Sequence, residues 1–230
     1  GDFLWFGEEF GPYLIKTDKS GKVLQIFETR VDGKRVRSHD HPALTLPAVP
    51  GVVKFEVRRS KRFEGMAASP DGKFLYPLLE GPLLTESGEP EARDGKRFLR
   101  ILEVDVAKGE YTGRSFKYTL EAPANAIGDF DMIDANTGLI IERDDTEGDP
   151  AQACKDGAVK ADCSNVPAKF KRIYKIDLGQ ADADGFVKKV GYIDLMDIQD
   201  PNKLARQGGK DGKLTFPFFT IENVDLVDAA

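Results

Sequence analysis

Histidine is almost missing from this sequence: His39 and His41 are the only two in 230 residues, alongside two cysteines, three methionines and one tryptophan. A Ser-His-Asp esterase would therefore have to take its base from one of these two imidazoles. The chain contains no Gly-x-Ser-x-Gly elbow, no His-Glu-x-x-His, no Gly-x-x-x-x-Gly-Lys and no Gly-x-Gly-x-x-Gly, so the familiar hydrolase, zinc and nucleotide signatures are excluded. Positive charge is not in excess either. Thirty-three Lys and Arg stand against 39 Asp and Glu, a net charge of -6, and no basic stripe with interleaved aromatics appears. Such a balance does not suit a phosphate backbone, and nucleic acid is excluded as a partner. No apolar run approaches the ~18 residues that span a bilayer, and the front carries no signal-peptide pattern. Long stretches of helical 3.6-residue periodicity are also lacking.

What is present is short alternating strands separated by turn residues, with enough apolar sequence for a sizeable core. Because the chain begins at Gly1 rather than Met, a processed or partial product is expected. Two hairpin signatures recur. The first runs Met66-Ala67-Ala68-Ser69-Pro70-Asp71-Gly72-Lys73-Phe74-Leu75-Tyr76 and returns as Met132-Ile133-Asp134-Ala135-Asn136-Thr137-Gly138-Leu139-Ile140-Ile141. Pro presets a negative φ, Asp or Asn bonds the local backbone, and Gly is expected to take the positive φ that closes the turn. The second is an alternating strand ending in Asp: Tyr13 to Asp18, Arg100 to Asp105 and Arg172 to Asp177. Each is followed by a Gly-containing turn and another strand.

The signatures alternate along the chain. With the strands of a unit labelled A to D, the first signature is the A–B hairpin and the second the C–D hairpin. Unit one then supplies strands B to D over about 1–27, unit two covers 63–120, unit three 128–195, and 219–230 begins strand A of a fourth. Four-stranded antiparallel units in series predict an all-β fold, a β-propeller, of which this chain is an incomplete set of about three blades. A sandwich is the alternative, but it leaves the alternation of hairpins unexplained. A propeller must close to remove its edge strands, so the remainder of the ring, on the same or a separate chain, is an expected partner. The length reads as about half of a six-bladed ring.

The long connections, 28–62, 81–97, 145–171 and 196–217, all belong to the B–C and D–A classes, which share one face of a propeller. Long loops on one face of a rigid scaffold make a binding surface. The acids follow that face. Glu64, Asp131 and Glu222 are placed at equivalent starts of strand A, and Glu9, Glu80 and Glu142 near the ends of strand B. Carboxylates aimed at one opening repel one another unless a cation neutralises them. Oxygen-only ligands favour a hard ion, Ca2+ ahead of Mg2+. Alternatively, the acids bond strand-edge amides or pair with Arg62 and Arg143 as structural ties.

Three further groups carry possible chemistry. His39 and His41, in Ser38-His39-Asp40-His41-Pro42, could point the same way to hold Zn2+ or a phosphate, or form a solvated loop pair. Cys154 and Cys163 lie within one polar loop and suggest a local disulfide, which fits a periplasmic or extracellular setting; free thiols or a metal pair are the alternatives. Arg143 and the cluster Arg58, Arg59, Lys61 and Arg62 could receive an anionic substrate or simply be solvated.

The blocks Gly7-Glu8-Glu9-Phe10-Gly11-Pro12-Tyr13, Arg62-Phe63-Glu64-Gly65-Met66, Leu79-Glu80-Gly81-Pro82-Leu83 and Ile141-Glu142-Arg143-Asp144 resemble the phytase-like domain family, labelled "esterase-like activity of phytase". The resemblance covers essentially the whole chain in order. Phe10 departs from it, standing where the family's Glu-Tyr-Gly-Pro block has Tyr, and the family's domain is longer than this chain. The resemblance implies a secreted bacterial β-propeller, related at fold level to calcium-dependent phytases, that hydrolyses a phosphate or other ester. Under it, Glu9, Glu64, Glu80, Asp131, Glu142 and Glu222 are the expected calcium ligands. Glu64, Glu80 and Glu142 are the expected catalytic carboxylates, and Arg62, Arg143, His39 and His41 the expected contacts to a small anionic ester. A non-catalytic binding or structural propeller stabilised by Ca2+ is the competing expectation, since no dedicated nucleophile stands out.

Overall fold

The computed structural model describes residues 2–42, 44, 53–155 and 161–227. The fold is all-β, with almost no helix beyond the 3-10 turn Pro150–Gln152. Three antiparallel sheets follow one another. The first contains β1 (Phe3–Glu8), β2 (Tyr13–Asp18) and β3 (Val23–Glu28), in that order. A small hairpin, β4 (Arg30–Val31) with β5 (Lys34–Arg35), comes next. The second sheet contains β6 (Phe63–Ala68), β7 (Phe74–Leu79), β8 (Ala92–Arg93), β9 (Lys96–Asp105) and β10 (Glu110–Thr119), ordered β6-β7-β9-β10 with β8 beside β9. The third runs β11 (Ala126–Met132), β12 (Thr137–Arg143), β13 (Lys171–Asp177) and β14 (Lys188–Asp194). A minor sheet of β15 (Ile198–Gln199), β16 (Gly209–Lys210) and β17 (Lys213–Leu214) sits in the long connection after β14.

The repeated Asp at the end of β2, β9 and β13 has a common cause. Asp18 Oδ1 accepts from Ser20 N at 2.8 Å, Asp105 Oδ1 from Lys108 N at 2.9 Å, and Asp177 Oδ1 from Gly179 N at 2.8 Å. Each carboxylate satisfies turn amides that the ladder has released. In the β6–β7 turn Gly72 has φ +68°, as the turn chemistry requires. Gly138 does not repeat this. It lies inside β12 with no positive φ, and a Cβ there would come 2.7 Å from Asp131 O. It is needed for close approach, not for turning.

The core occupies the two spaces between the sheets. β9 alternates between them: Leu99 and Ile101 pack toward the third sheet with Leu78, Tyr118, Ile127, Phe130 and Tyr174, whereas Leu102 and Val104 pack toward the first with Leu14, Phe27, Phe63 and Leu79. A strand buried on both faces belongs to a sheet sandwiched between two others. Each such fully buried side chain contributes about 1.5–3 kcal/mol. On the far face of the first sheet, Leu4, Phe6 and Ile26 are exposed, and on β14 so are Tyr192 and Ile193. The first strands of the sheets approach closely, since a Cβ on Gly65 of β6 would lie 2.6 Å from Phe130 N of β11. Residues 219–227, with a strand-like sequence, form no ladder and lie as an extended strap against β11.

Candidate functional site

Three carboxylates meet at one end of β1, β6 and β7. Glu9 follows β1, Glu80 follows β7, and Glu64 is the extra residue of a β-bulge, because Phe63 pairs with Leu79 and Gly65 with Leu78. Bulges re-aim a side chain out of the pleat, and here Glu64 is turned toward the other two. Carboxylate oxygens of Glu9, Glu64 and Glu80 lie within 4.8 Å of one another. Glu80 is buried, and Glu9 and Glu64 are half-buried.

The scaffold around them is held by charge-assisted bonds. The Glu8 carboxylate accepts from the amides of Phe10 and Gly11, which shapes the turn bearing Glu9. Arg62 is fully buried; it donates to the carbonyl of Glu9, to Ser38 Oγ and, at 2.8 Å, to Asp40 Oδ2. Lys61 Nζ donates to Glu80 Oε1 at 2.6 Å. The guanidinium of Arg62 thus ties down the backbone beneath the site, with its Nε left without a partner among the described residues. Lys61 likewise serves to neutralise Glu80.

Electrostatics single out Glu64. Burial, then the charges of Glu80, Glu9 and Glu222, raise its pKa from 4.5 to about 7, while Arg143 opposes the shift. The Glu80 carboxyl is also pushed up, chiefly by burial, against the pull of Lys61 and Arg143. A half-buried group that resists ionisation among its neighbours is relieved by a cation, and an all-carboxylate donor set suits a hard divalent ion.

The other expected ligands are placed differently, and register explains why. Leu78 pairs with Ile101, four residues before Asp105, and Ile141 pairs with Ile173, four residues before Asp177. Glu80 of the second sheet thus corresponds to Arg143 of the third, and Leu79 to Glu142. Gly7, paired with Leu14, puts Glu9 at the same position in the first sheet. Glu142 consequently faces the interior between the second and third sheets and is fully buried. It accepts from Tyr118 Oη at 2.7 Å, Glu121 N at 2.7 Å, Asn125 Nδ2 at 2.8 Å and Lys189 Nζ at 3.0 Å. Its carboxylate is saturated with donors, and it lies outside the three-carboxylate group.

The same pairing makes Gly128 the counterpart of Glu64, since Ile127 pairs with Glu142 and Asp129 with Ile141. Asp131, further along β11, is raised in pKa by burial and by a hydrogen bond with Asp225, and is also outside the group. Glu222 is exposed on the strap, and its charge reaches Glu64. Arg143, buried, donates to Asp145 and stacks over Phe219 at 5.2 Å, and its Nε has no partner among the described residues. The histidines do not converge on the acids. His41 is buried with Nε2 2.9 Å from Tyr13 Oη, and His39 stacks on Phe55 at 3.7 Å with its pKa lowered by burial and by Arg59. The place of Gly128 opposite Glu64 and of Arg143 opposite Glu80 is what sequence patterning missed; the one signal was the unequal spacing of the two A–B hairpins.

Cys154 and Cys163 form the expected disulfide, with Cα atoms 4.9 Å apart. Among the described residues no helix is long and apolar enough to cross a membrane. A protein of Arthroderma benhamiae described as an uncharacterized secreted protein is 32% identical over 127 residues, which make up 51% of this chain and 23% of the relative. This chain thus spans only part of that relative's length. Over residues 1–230 the sequence matches the family described as phytase-like, esterase-like activity of phytase. The chain belongs to the phytase-like family.

Proposed function

We propose that Glu9, Glu64 and Glu80 hold a divalent cation, calcium ahead of magnesium, in a secreted propeller that hydrolyses a phosphate ester or another ester. The observation that carries this reading is the convergence of three carboxylates within 4.8 Å from two successive sheets. A cation bound there would neutralise charge on an anionic substrate and lower the pKa of a bound water. The chain's own residues prepare that site. Arg62 fixes the backbone carrying Glu9, Lys61 takes part of the charge of Glu80, and Arg143 lends positive charge beside the acids. Glu142, already saturated with donors, and the two histidines, which lie outside the three-acid group, have no part in this scheme.

The propeller is supported by three antiparallel sheets packed face to face with their first strands adjacent. The open apolar faces at Leu4, Phe6 and Ile26 on the first sheet and at Ile193 on the third support further sheets on both flanks, completing a ring that the chain length suggests is six-bladed. The protein is secreted or periplasmic. A disulfide needs an oxidising compartment, and the relative described as secreted agrees with it.

One feature favours a second reading, a binding or structural propeller in which calcium only stabilises the ring: no residue of the sequence stands out as a dedicated nucleophile or general acid. Calorimetric titration with calcium tests the site first; heat that weakens in Glu64→Ala supports it, and no heat from the intact protein ends it. Turnover of p-nitrophenyl phosphate, phytate and short acyl esters, with calcium and with chelator, then separates the readings. Chelator-sensitive hydrolysis lost in Glu64→Ala supports the enzyme; calcium-dependent stability without turnover supports the module.

A further inference from the structure

The acidic balance of the chain reverses in the segment after the first sheet. Residues 30–37, Arg30-Val31-Asp32-Gly33-Lys34-Arg35-Val36-Arg37, carry four cations and one acid. They form the β4–β5 hairpin, whose Asp-Gly turn has a positive φ at both central positions, +50° at Asp32 and +77° at Gly33. Such a turn matches the twist of its strands and fixes their register. Val31 and Val36 are buried in the core between the first and second sheets. Because a strand alternates its faces, Arg30, Arg35 and Arg37 are left on the outer side. The hairpin is seated firmly: Asp32 pairs with Arg100 of β9 at 3.5 Å, Thr29 Oγ1 lies 3.0 Å from Tyr111 Oη, and Glu56 N donates to Arg37 O at 3.0 Å.

The register sets Arg30 directly opposite Arg35. Like charges facing each other across two strands destabilise the pairing. Among the described residues only Glu28 and Glu56 pair with the four cations. Glu28 lies 3.0 Å from Arg35 and 3.9 Å from Arg30, and Glu56 lies 2.8 Å from Arg37. Two positive charges are therefore uncompensated. Arg30, Lys34, Arg35, Arg37 and Glu56 line an open groove of about 440 Å3. Glu8, Tyr13 and Glu28 lie in register across the first sheet, so the hairpin leaves that sheet at the same end as Glu9.

We propose that this groove binds an acidic polysaccharide, with Arg30, Lys34 and Arg35 holding carboxylate or sulfate groups of successive sugars. Guanidinium forks suit such oxyanions, and an anion between Arg30 and Arg35 relieves their mutual repulsion. The prefolded hairpin keeps the ordering cost of binding low. A bilayer surface fits less well, because no apolar side chain lines the groove to enter the lipid. A single-stranded nucleic acid would need aromatic platforms for its bases, and the groove lining has none. The inference does not depend on the cation reading of the three-acid site.

Binding of the full chain to surfaces coated with polygalacturonate, dextran sulfate or neutral dextran tests this, with chelator present throughout so that the three-acid site makes no metal-bridged contact. The expected result is binding to one or both acidic polymers, none to neutral dextran, and weakening as salt rises. The polymer retained identifies the anion as uronate or sulfate. Arg30→Gln/Arg35→Gln should weaken binding about tenfold, two exposed charge contacts being lost, whereas Lys203→Gln/Lys210→Gln, which removes the same charge elsewhere, should leave it near wild type. The Tm of Arg30→Gln without polymer should not fall, since its ion pair is the longer one and its loss ends the repulsion. No binding to either acidic polymer, equal binding to neutral dextran, or an equal loss in the Lys203→Gln/Lys210→Gln control would overturn the inference. Tighter binding to phosphatidylserine vesicles or to an oligothymidylate than to both acidic polymers would also overturn it, in favour of a membrane or a nucleic acid.

Discussion

The second and third sheets share strand order and turn chemistry, yet one brings two acids to the candidate site and the other brings an arginine and a glycine. Glu80 and Arg143 occupy one position, Glu64 and Gly128 another, and Leu79 and Glu142 a third. A strand alternates its faces with a period of two, so a shift of one residue exchanges a rim position for an interior one. Glu142 is the result: an acid that resembles Glu80 in its local sequence but stands where the second sheet has a core leucine. The largest expected effect tests this difference. Glu142→Ala removes the buried acceptor of Tyr118, Glu121 N and Asn125, leaves Lys189 with Glu121 alone, and should cost about 3–5 kcal/mol in urea denaturation, with calcium affinity unchanged. Lost calcium binding at unaltered stability would return Glu142 to the site.

Much of the comparison was legible in the sequence. The turn aspartates Asp18, Asp105 and Asp177 and the Ser-Pro-Asp-Gly turn marked the hairpins because their chemistry is local. Glu9 and Glu80 stood out because each closes an apolar strand, and Glu64 because it opens one. Register was less visible. Six residues separate the paired Ala68 and Leu75, but five separate Met132 and Gly138, and that difference decides which face Glu142 occupies. Bulges at Glu64 and Gly128 are invisible to an alternating pattern. Arg62 read either as a cation open to an anionic substrate or as a structural tie to an acid, and only tertiary packing shows it buried against Asp40. Residues 219–227 have strand-like composition, but a strand also needs a neighbour with free ladder groups.

The B–C connections differ as well. That of the second sheet folds back through β8, whereas that of the third is longer and closed by Cys154–Cys163. Reducing the bond, or replacing both cysteines with serine, should cost about 2–3 kcal/mol for a loop of this length on the chain-entropy account. Thermal unfolding with and without reductant measures it. A Tm unmoved by reductant would show that the loop opens independently of the sheets.

Glu64 against Gly128 gives a prediction that depends on pH. In chelator, Glu64 titrates at about 7 in the folded protein and at its ordinary 4.5 when unfolded. Between these values the folded state holds a proton that the unfolded chain has released, so stability falls as pH rises. The contribution is complete below 4.5 and gone above about 7. Glu64→Gln should flatten this part of the profile and, separately, weaken calcium binding. An identical slope in the variant would place the titration on another group.

The smallest effect probes Glu80 against Arg143. Arg143 opposes the upward shift of Glu64 and sits at the position equivalent to Glu9 and Glu80. Arg143→Gln should therefore raise the Glu64 pKa still further, as read from its carboxyl resonance by NMR in chelator. Stability should change by only about 0.5–1 kcal/mol, the worth of the contact between the guanidinium and Phe219. Because the substitution removes charge without adding an acid, an unmoved Glu64 titration would mean that Arg143 does not face the acids, and that the correspondence between the two sheets ends one residue earlier than the pairing implies.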